Sequence, residues 1–331
     1  MTEYRQILKD LKNKIYHPLY LLHGEEPYYI DRVSDYIEEN TLNEEEKSFN
    51  QTVLYGREAN AVSLLDTLRR YPMLANYQVV ILKEAQAFKD LDALVSYFEN
   101  PMKSTVFVIC YKYKSLDKRT RAYKQLSAKG VTLESKKLYD NQVPDFIAQL
   151  AKEMHLNVSE DASELLAEYL GNDLSKIMNE LQKLALNIKD AKITPQHIEK
   201  FIGISKDYNV FEFTKALVQK DRAKAFRIVK YFEQNPKASE PVMVLGMLYS
   251  FFSKALVAQQ ANKSPYDLMS ELQLRKPTAD DLKTYQRNYK IQDTVRIMHL
   301  LHEYDLKTKG VDYAGSEKSV LLTELAYRIL N

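Results

Sequence analysis

The stretch Leu19-Tyr-Leu-Leu-His-Gly-Glu-Glu-Pro-Tyr-Tyr-Ile-Asp-Arg-Val33 is laid out for phosphate chemistry but lacks the residues that perform it. A short apolar run reads as a buried strand, Gly24 allows a turn, Pro27 suits a first helical turn, and Tyr29, Ile30 and Val33 begin a helical apolar face. A working phosphate loop, G-x-x-x-x-G-K-[ST], cradles phosphates on glycine-rich backbone N–H groups and adds a Lys for the terminal phosphates and a hydroxyl for magnesium. Here Glu25 and Glu26 put negative charge where that of a nucleotide would go. The N-terminal region therefore reads as a nucleotide-hydrolase fold with no nucleotide site.

A second feature agrees. The run Val79-Val-Ile-Leu82 is the natural place for an acidic magnesium-binding pair, yet it leads into Lys83-Glu-Ala-Gln-Ala-Phe88, where Glu84 is the only acid at the tip. A lone Glu at a strand end is ordinarily a solvated carboxylate. The histidines His17, His23, His155, His197, His299 and His302 show no H-E-x-x-H or comparable ligand spacing, and no G-x-S-x-G elbow is present. The single cysteine, Cys110, lies in the apolar run Val106-Phe-Val-Ile-Cys110, which excludes intramolecular disulfides and Cys-based zinc sites. Enzymatic chemistry has no visible centre, and neither metal nor cofactor is expected.

Two stretches suit binding better than catalysis. Tyr111-Lys-Tyr-Lys-Ser-Leu-Asp-Lys-Arg-Thr-Arg-Ala-Tyr-Lys-Gln-Leu126 interleaves bases with tyrosines, so Lys112, Lys114, Lys118, Arg119, Arg121 and Lys124 could meet a phosphate backbone or an acidic neighbour; a soluble helical face has the same composition. In Tyr71-Pro-Met-Leu-Ala-Asn-Tyr77, Pro72 should stop a preceding helix and leave Met73 and Leu74 on a short turn at the rim of a sheet. Such side chains are either plugs of the core or anchors for a pocket on a partner, where Met is adaptable.

The elements that position these residues change character along the chain. Up to about residue 138, short Val-, Ile- and Leu-rich runs at 19–22, 79–82, 105–110 and 131–133 alternate with helical patterns such as 61–71 and 90–98, the signature of a parallel sheet with crossover helices. After residue 139 strands disappear. Helices are expected near Pro144, after Ser159, over 171–186 with Leu174, Ile177, Met178, Leu181, Leu184 and Ala185 as a core stripe, and after Thr194-Pro195. A second helical block follows Tyr208; its run Pro241-Val-Met-Val-Leu-Gly-Met-Leu-Tyr-Ser-Phe-Phe252 is apolar nearly all round and should be central.

The composition, 45% apolar and 28% charged over 331 residues, is that of a soluble globular protein of two or three domains. The charged opening Met1-Thr-Glu-Tyr-Arg-Gln is unlike a secretory signal, and no run reads as a membrane span, so a cytoplasmic protein without membrane contact is expected. The net charge of +2 hides segregation: residues 102–138 hold ten Lys and Arg against two Asp and Glu, whereas residues 1–101 hold eleven against seventeen. That local excess favours nucleic-acid phosphates or an acidic protein face.

Six pieces in order over nearly the whole chain carry a resemblance. They are the 19–31 stretch, Pro72-Met-Leu74, Asp117-Lys-Arg119, Gly171-Asn-Asp-Leu174 with Glu180-Leu-Gln-Lys-Leu184, Val210-Phe-Glu-Phe-Thr-Lys-Ala216, and Asp305-Leu-Lys-Thr-Lys-Gly310. Together they resemble the delta subunit of bacterial DNA polymerase III, the clamp-opening member of the sliding-clamp loader. The resemblance implies α/β plus all-α architecture: an AAA+-like domain without a phosphate loop (1–139), a small helical lid (140–205) and a C-terminal helical collar (206–331). It further implies no ATP hydrolysis by this chain, and no catalysis beyond its place in a polymerase holoenzyme. The clamp-binding wedge would fall on Pro72, Met73 and Leu74, with Leu74 where the family often carries an aromatic. The implied partners are the sliding clamp, ATPase subunits and a delta-prime subunit in a five-membered ring, and primed DNA through that complex. A delta-prime-like chain should instead offer a Ser-Arg-Cys finger or zinc-binding cysteines, which are absent. The alternative is a degenerate AAA+ scaffold subunit of another replication or repair complex.

Overall fold

The computed structural model describes residues 2–188, 192–203, 205, 207–235, 240–311 and 320–331. The chain divides into two compact units, Met1–Leu138 and Tyr139–Asn331.

The first unit runs α1 (Thr2–Lys12), β1 (Leu19–Gly24), α2 (Pro27–Asn40), α3 (Glu44–Asn50), β2 (Gln51–Tyr55), α4 (Ala61–Leu68), β3 (Gln78–Lys83), α5 (Val95–Glu99), β4 (Thr105–Lys112), α6 (Arg121–Lys129) and β5 (Val131–Ser135). The five strands form one parallel sheet in the order β2-β3-β4-β1-β5, with Leu22 of β1 level with Cys110 of β4 and Leu133 of β5. Every residue of β1 is buried, as a central strand covered on both faces requires. One face packs Leu19, Leu21, Val80, Leu82, Phe107 and Ile109 against Leu64, Leu68, Phe98 and Leu126 from the helices.

Two details differ from the expectations. The edge strand β2 carries no continuous apolar run; four of its five residues are half-buried and Tyr55 is exposed, so its pattern is weak. The helix expected over 61–71 ends at Leu68, well before Pro72. Polar side chains on the sheet take its last carbonyls: Gln78 Nε2 donates to Thr67 O at 2.7 Å and Thr105 Oγ1 to Leu68 O at 3.1 Å.

The second unit is helical: α7 (Val143–Glu153), α8 (Glu160–Leu170), α9 (Leu174–Asn187), α10 (Pro195–Ile202), α11 (Val210–Gln219), α12 (Arg222–Gln234), α13 (Pro241–Ala261), α14 (Lys276–Asn288), α15 (Ile291–Thr308) and α16 (Val320–Leu330). Ser159 caps α8, with its hydroxyl accepting from Ala162 N at 3.3 Å. By length and composition α13 is apolar enough to cross a membrane, which corrects the expectation that no such run exists. Its Val244, Leu245, Leu248, Phe251, Phe252 and Ala255 lie in the core that α11, α12 and α14 to α16 also build, while Val242, Tyr249 and Val257 are exposed.

Candidate functional site

The loop after β1 is closed from within the chain. Gly24 has φ +142°, and a Cβ there would stand 1.9 Å from the Ser135 carbonyl oxygen, so no other residue fits. Only Glu25 and Glu26 separate Gly24 from α2, and Pro27 at the start of the helix has no N–H to offer. Glu25 is exposed, but Glu26 is only 4% exposed and caps the helix, its Oε1 accepting from Tyr28 N at 3.0 Å. The Glu26 backbone is sewn to the end of β5: its N–H donates to Ser135 O at 3.2 Å, and Ser135 Oγ donates to Glu26 O at 2.6 Å. A helix N-terminus that would hold phosphate already holds the chain's own carboxylate.

Ion pairs occupy the neighbouring sheet edge. Lys112, at the end of β4, places Nζ 2.6 Å from Asp31 Oδ1 on α2 and 3.7 Å from Glu84 Oε1, and its backbone N–H donates to Gln86 Oε1 at 3.0 Å. Burial alone would lower the Lys112 ammonium; the Asp31 hydrogen bond and the charges of Asp31 and Glu84 outweigh it and raise the pKa. Lys83 likewise pairs with Glu38 at 2.8 Å. The lone Glu84 is therefore a partner of lysine, and Lys112, grouped from sequence with the surface bases, is committed inside the domain.

The remaining bases are exposed and unequal. Arg119 chelates Asp117, with NH2 to Oδ2 at 2.7 Å, and holds that carboxyl down to about 2; Lys118 pairs with Glu134 at 3.0 Å and lowers it. Lys114 lies over the Tyr111 ring at 5.6 Å from its centroid. Arg121 and Lys124 project from α6, both exposed. Between Lys112 and Lys114, Tyr113 is exposed with φ +66°. Beneath this segment, buried His23 accepts from Leu116 N at its Nδ1 at 3.2 Å, and burial lowers its pKa.

The loop between α4 and β3 carries the apolar pair. Met73 is 61% exposed and Leu74 fully exposed, which removes the core-plug alternative. Leu74 also has φ +54°, a left-handed conformation that costs a residue with a Cβ roughly 1–2 kcal/mol. The peptide before it is held by one residue that the sequence did not single out. Asn50, at the end of α3, accepts from Met73 N at 2.6 Å through Oδ1 and donates through Nδ2 to Met73 O at 2.9 Å. Its only local signal is an Asn at a helix end, and its partner lies 23 positions away.

Comparisons with known proteins converge. The family model described as DNA polymerase III, delta subunit, matches residues 20–136, which include the closed loop, the apolar pair and the basic segment. The DNA polymerase III subunit delta of Bacillus subtilis (strain 168) is 25% identical over 96% of this chain and 94% of its own length. The probable DNA polymerase III subunit delta of Aquifex aeolicus is 22% identical over 76% of this chain and 73% of its own. Among solved structures, the DNA clamp loader delta protein of Bacillus subtilis superposes with a TM-score of 0.69 at 24% identity, covering 99% of each chain, a likeness of fold.

Proposed function

The chain is a relative of the DNA polymerase III delta subunits along nearly its whole length, and from that premise we propose that it binds a sliding clamp and favours the clamp's open form during replication. The observation that carries this reading is the exposed Met73-Leu74 pair on a strained, bracketed loop. A fully exposed Leu in a costly backbone conformation contributes nothing to the folded chain, and strain of this kind collects where a partner is gripped. Burying Leu74 in a clamp pocket would supply about 1.5–3 kcal/mol, and Met73, already partly covered, somewhat less.

No chemical step is required. A chain that binds the open clamp more tightly than the closed one shifts that equilibrium by the difference in affinity and no further. The closed loop at Glu26 and the Lys112 pairs support a subunit without ATP hydrolysis, so energy would come from neighbouring ATPase subunits. In this reading residues 140–205 act as the lid and 206–331 as the collar that joins those subunits and delta-prime. The bases Lys114, Arg121 and Lys124 then face primed DNA in the assembled loader, in the bacterial cytoplasm.

Titrating purified clamp with the full chain tests the proposal, beside Met73→Ala/Leu74→Ala. The expected result is binding without nucleotide that weakens by two to three orders of magnitude in the double variant, about 3–4 kcal/mol. No binding by a folded wild type would leave the scaffold alternative. In the same samples ATP should give no heat of binding.

A further inference from the structure

The loop that carries the apolar pair has no regular structure between α4 and β3, yet both polar groups of one of its residues are taken by a single side chain. Asn50 is 4% exposed, and besides its two bonds to Met73 its Nδ2 donates to Glu46 O at 3.1 Å. Its helix is itself fixed at the start: Asn43 Oδ1 accepts from Glu46 N at 2.8 Å, and Glu46 Oε2 accepts from Asn43 N at 2.9 Å. Immediately after Asn50 the chain enters β2 of the sheet. The loop is thereby tied to rigid elements at the residue just before Leu74.

We propose that Asn50 is the positioning residue of this surface, holding the Met73 peptide so that Leu74 stays in its left-handed conformation with both apolar side chains presented to the partner. The inference rests on the clamp-binding reading above. An amide suits the task because it offers one acceptor and one donor in a plane, matching the N–H and C=O of one residue. Aspartate would keep the acceptor but set a carboxylate oxygen against Met73 O; alanine or leucine would leave both groups of Met73 unpaired. A non-glycine residue remains at positive φ only when its surroundings over-determine it. Released from Asn50, Leu74 relaxes to negative φ and its side chain turns with the peptide. The partner must then re-order the loop, and affinity falls without loss of any contacting atom.

The test uses the full chain with Asn50→Ala and Asn50→Asp, each also in the Leu74→Ala background, and reads clamp affinity and amide hydrogen exchange. Expected are faster exchange at the Met73 amide in Asn50→Ala, with that amide still bonded in Asn50→Asp and the β3 amides unchanged in both, and roughly tenfold weaker clamp binding in each single variant, about 1.4 kcal/mol. In the Leu74→Ala background the same Asn50 changes should cost little, because the side chain they position is gone. Should Asn50→Ala fold poorly, Asn50→Asp, which keeps one of the two bonds to Met73, carries the test. Wild-type affinity in a folded Asn50 variant, or an equal loss with and without Leu74, would overturn the inference and leave Asn50 as a structural residue. Undiminished binding by Met73→Ala/Leu74→Ala would instead place the anchor elsewhere, and no binding by the folded wild type would defeat the clamp-binding reading itself.

Discussion

Replacing Leu74 by Gly should move stability and binding in opposite directions. At φ +54° a leucine carries a backbone cost of roughly 1–2 kcal/mol that glycine does not. Against this, glycine loses about 0.5–1 kcal/mol more conformational entropy on folding. The leucine side chain is fully exposed, so removing it forfeits no burial. The net is a gain of about 0–1.5 kcal/mol, which for a unit of this size raises the midpoint of thermal unfolding by up to roughly 6 °C. Clamp binding loses the full transfer energy of the leucine, about 1.5–3 kcal/mol or roughly 10- to 150-fold in Kd, before any cost of a looser loop. Thermal unfolding followed by circular dichroism and clamp titration by calorimetry, on one preparation, read both quantities. A lower unfolding midpoint would mean that Leu74 is supported by contacts the exposed loop does not have, and unchanged affinity would place the anchor elsewhere. Leu74→Ala separates the two effects: it should lose comparable affinity with stability within about 0.5 kcal/mol of wild type.

Three further outcomes follow from the same geometry. Gly24→Ala drives a Cβ to 1.9 Å from a backbone oxygen, so it should destabilise the first unit by about 3 kcal/mol or more in urea unfolding; a near-neutral change would mean that the β1–α2 loop can part from Ser135 freely. His23 has its pKa lowered by burial from an ordinary 6.5, so the unfolded chain binds the proton more tightly. Its contribution is full above about pH 6.5 and falls as the pH drops below that, by at most about 1.4 kcal/mol per pH unit. His23→Asn, which retains an acceptor for Leu116 N, should flatten that stretch of the stability profile, and an unchanged slope would refute the assignment. Lys114→Ala/Arg121→Ala/Lys124→Ala should flatten the salt dependence of DNA binding by the assembled loader by two to three phosphate contacts' worth, roughly 0.7–0.9 in slope for each. Lys118→Ala/Arg119→Ala, whose charges are already matched by Glu134 and Asp117, should change it less; equal effects would show those pairs to be open to DNA.

How much of this was legible in the chain depended on the range of the interactions involved. β1, β3 and β4 announce themselves because strands buried on both faces must be apolar throughout, whereas β2, at the edge and half-covered, has no such constraint. The missing phosphate-binding residues were equally plain, since the requirement is local in sequence. What closes the loop instead is not local: Glu26 meets Ser135 across 109 positions, and nothing around either residue announces the other. The apolar pair lies between these cases. Pro72-Met-Leu74 marks a turn, but periodicity could not tell a plug from an anchor, because exposure is decided by residues far along the chain. Gln78 and Thr105 end α4 a turn early, and Asn50 pins the peptide that follows. A side chain's type is written where it stands, but its direction is set by the polar contacts that hold its backbone. For that reason the residues that expose the apolar pair are ones whose own types, Asn, Gln and Thr, suggest no function at all.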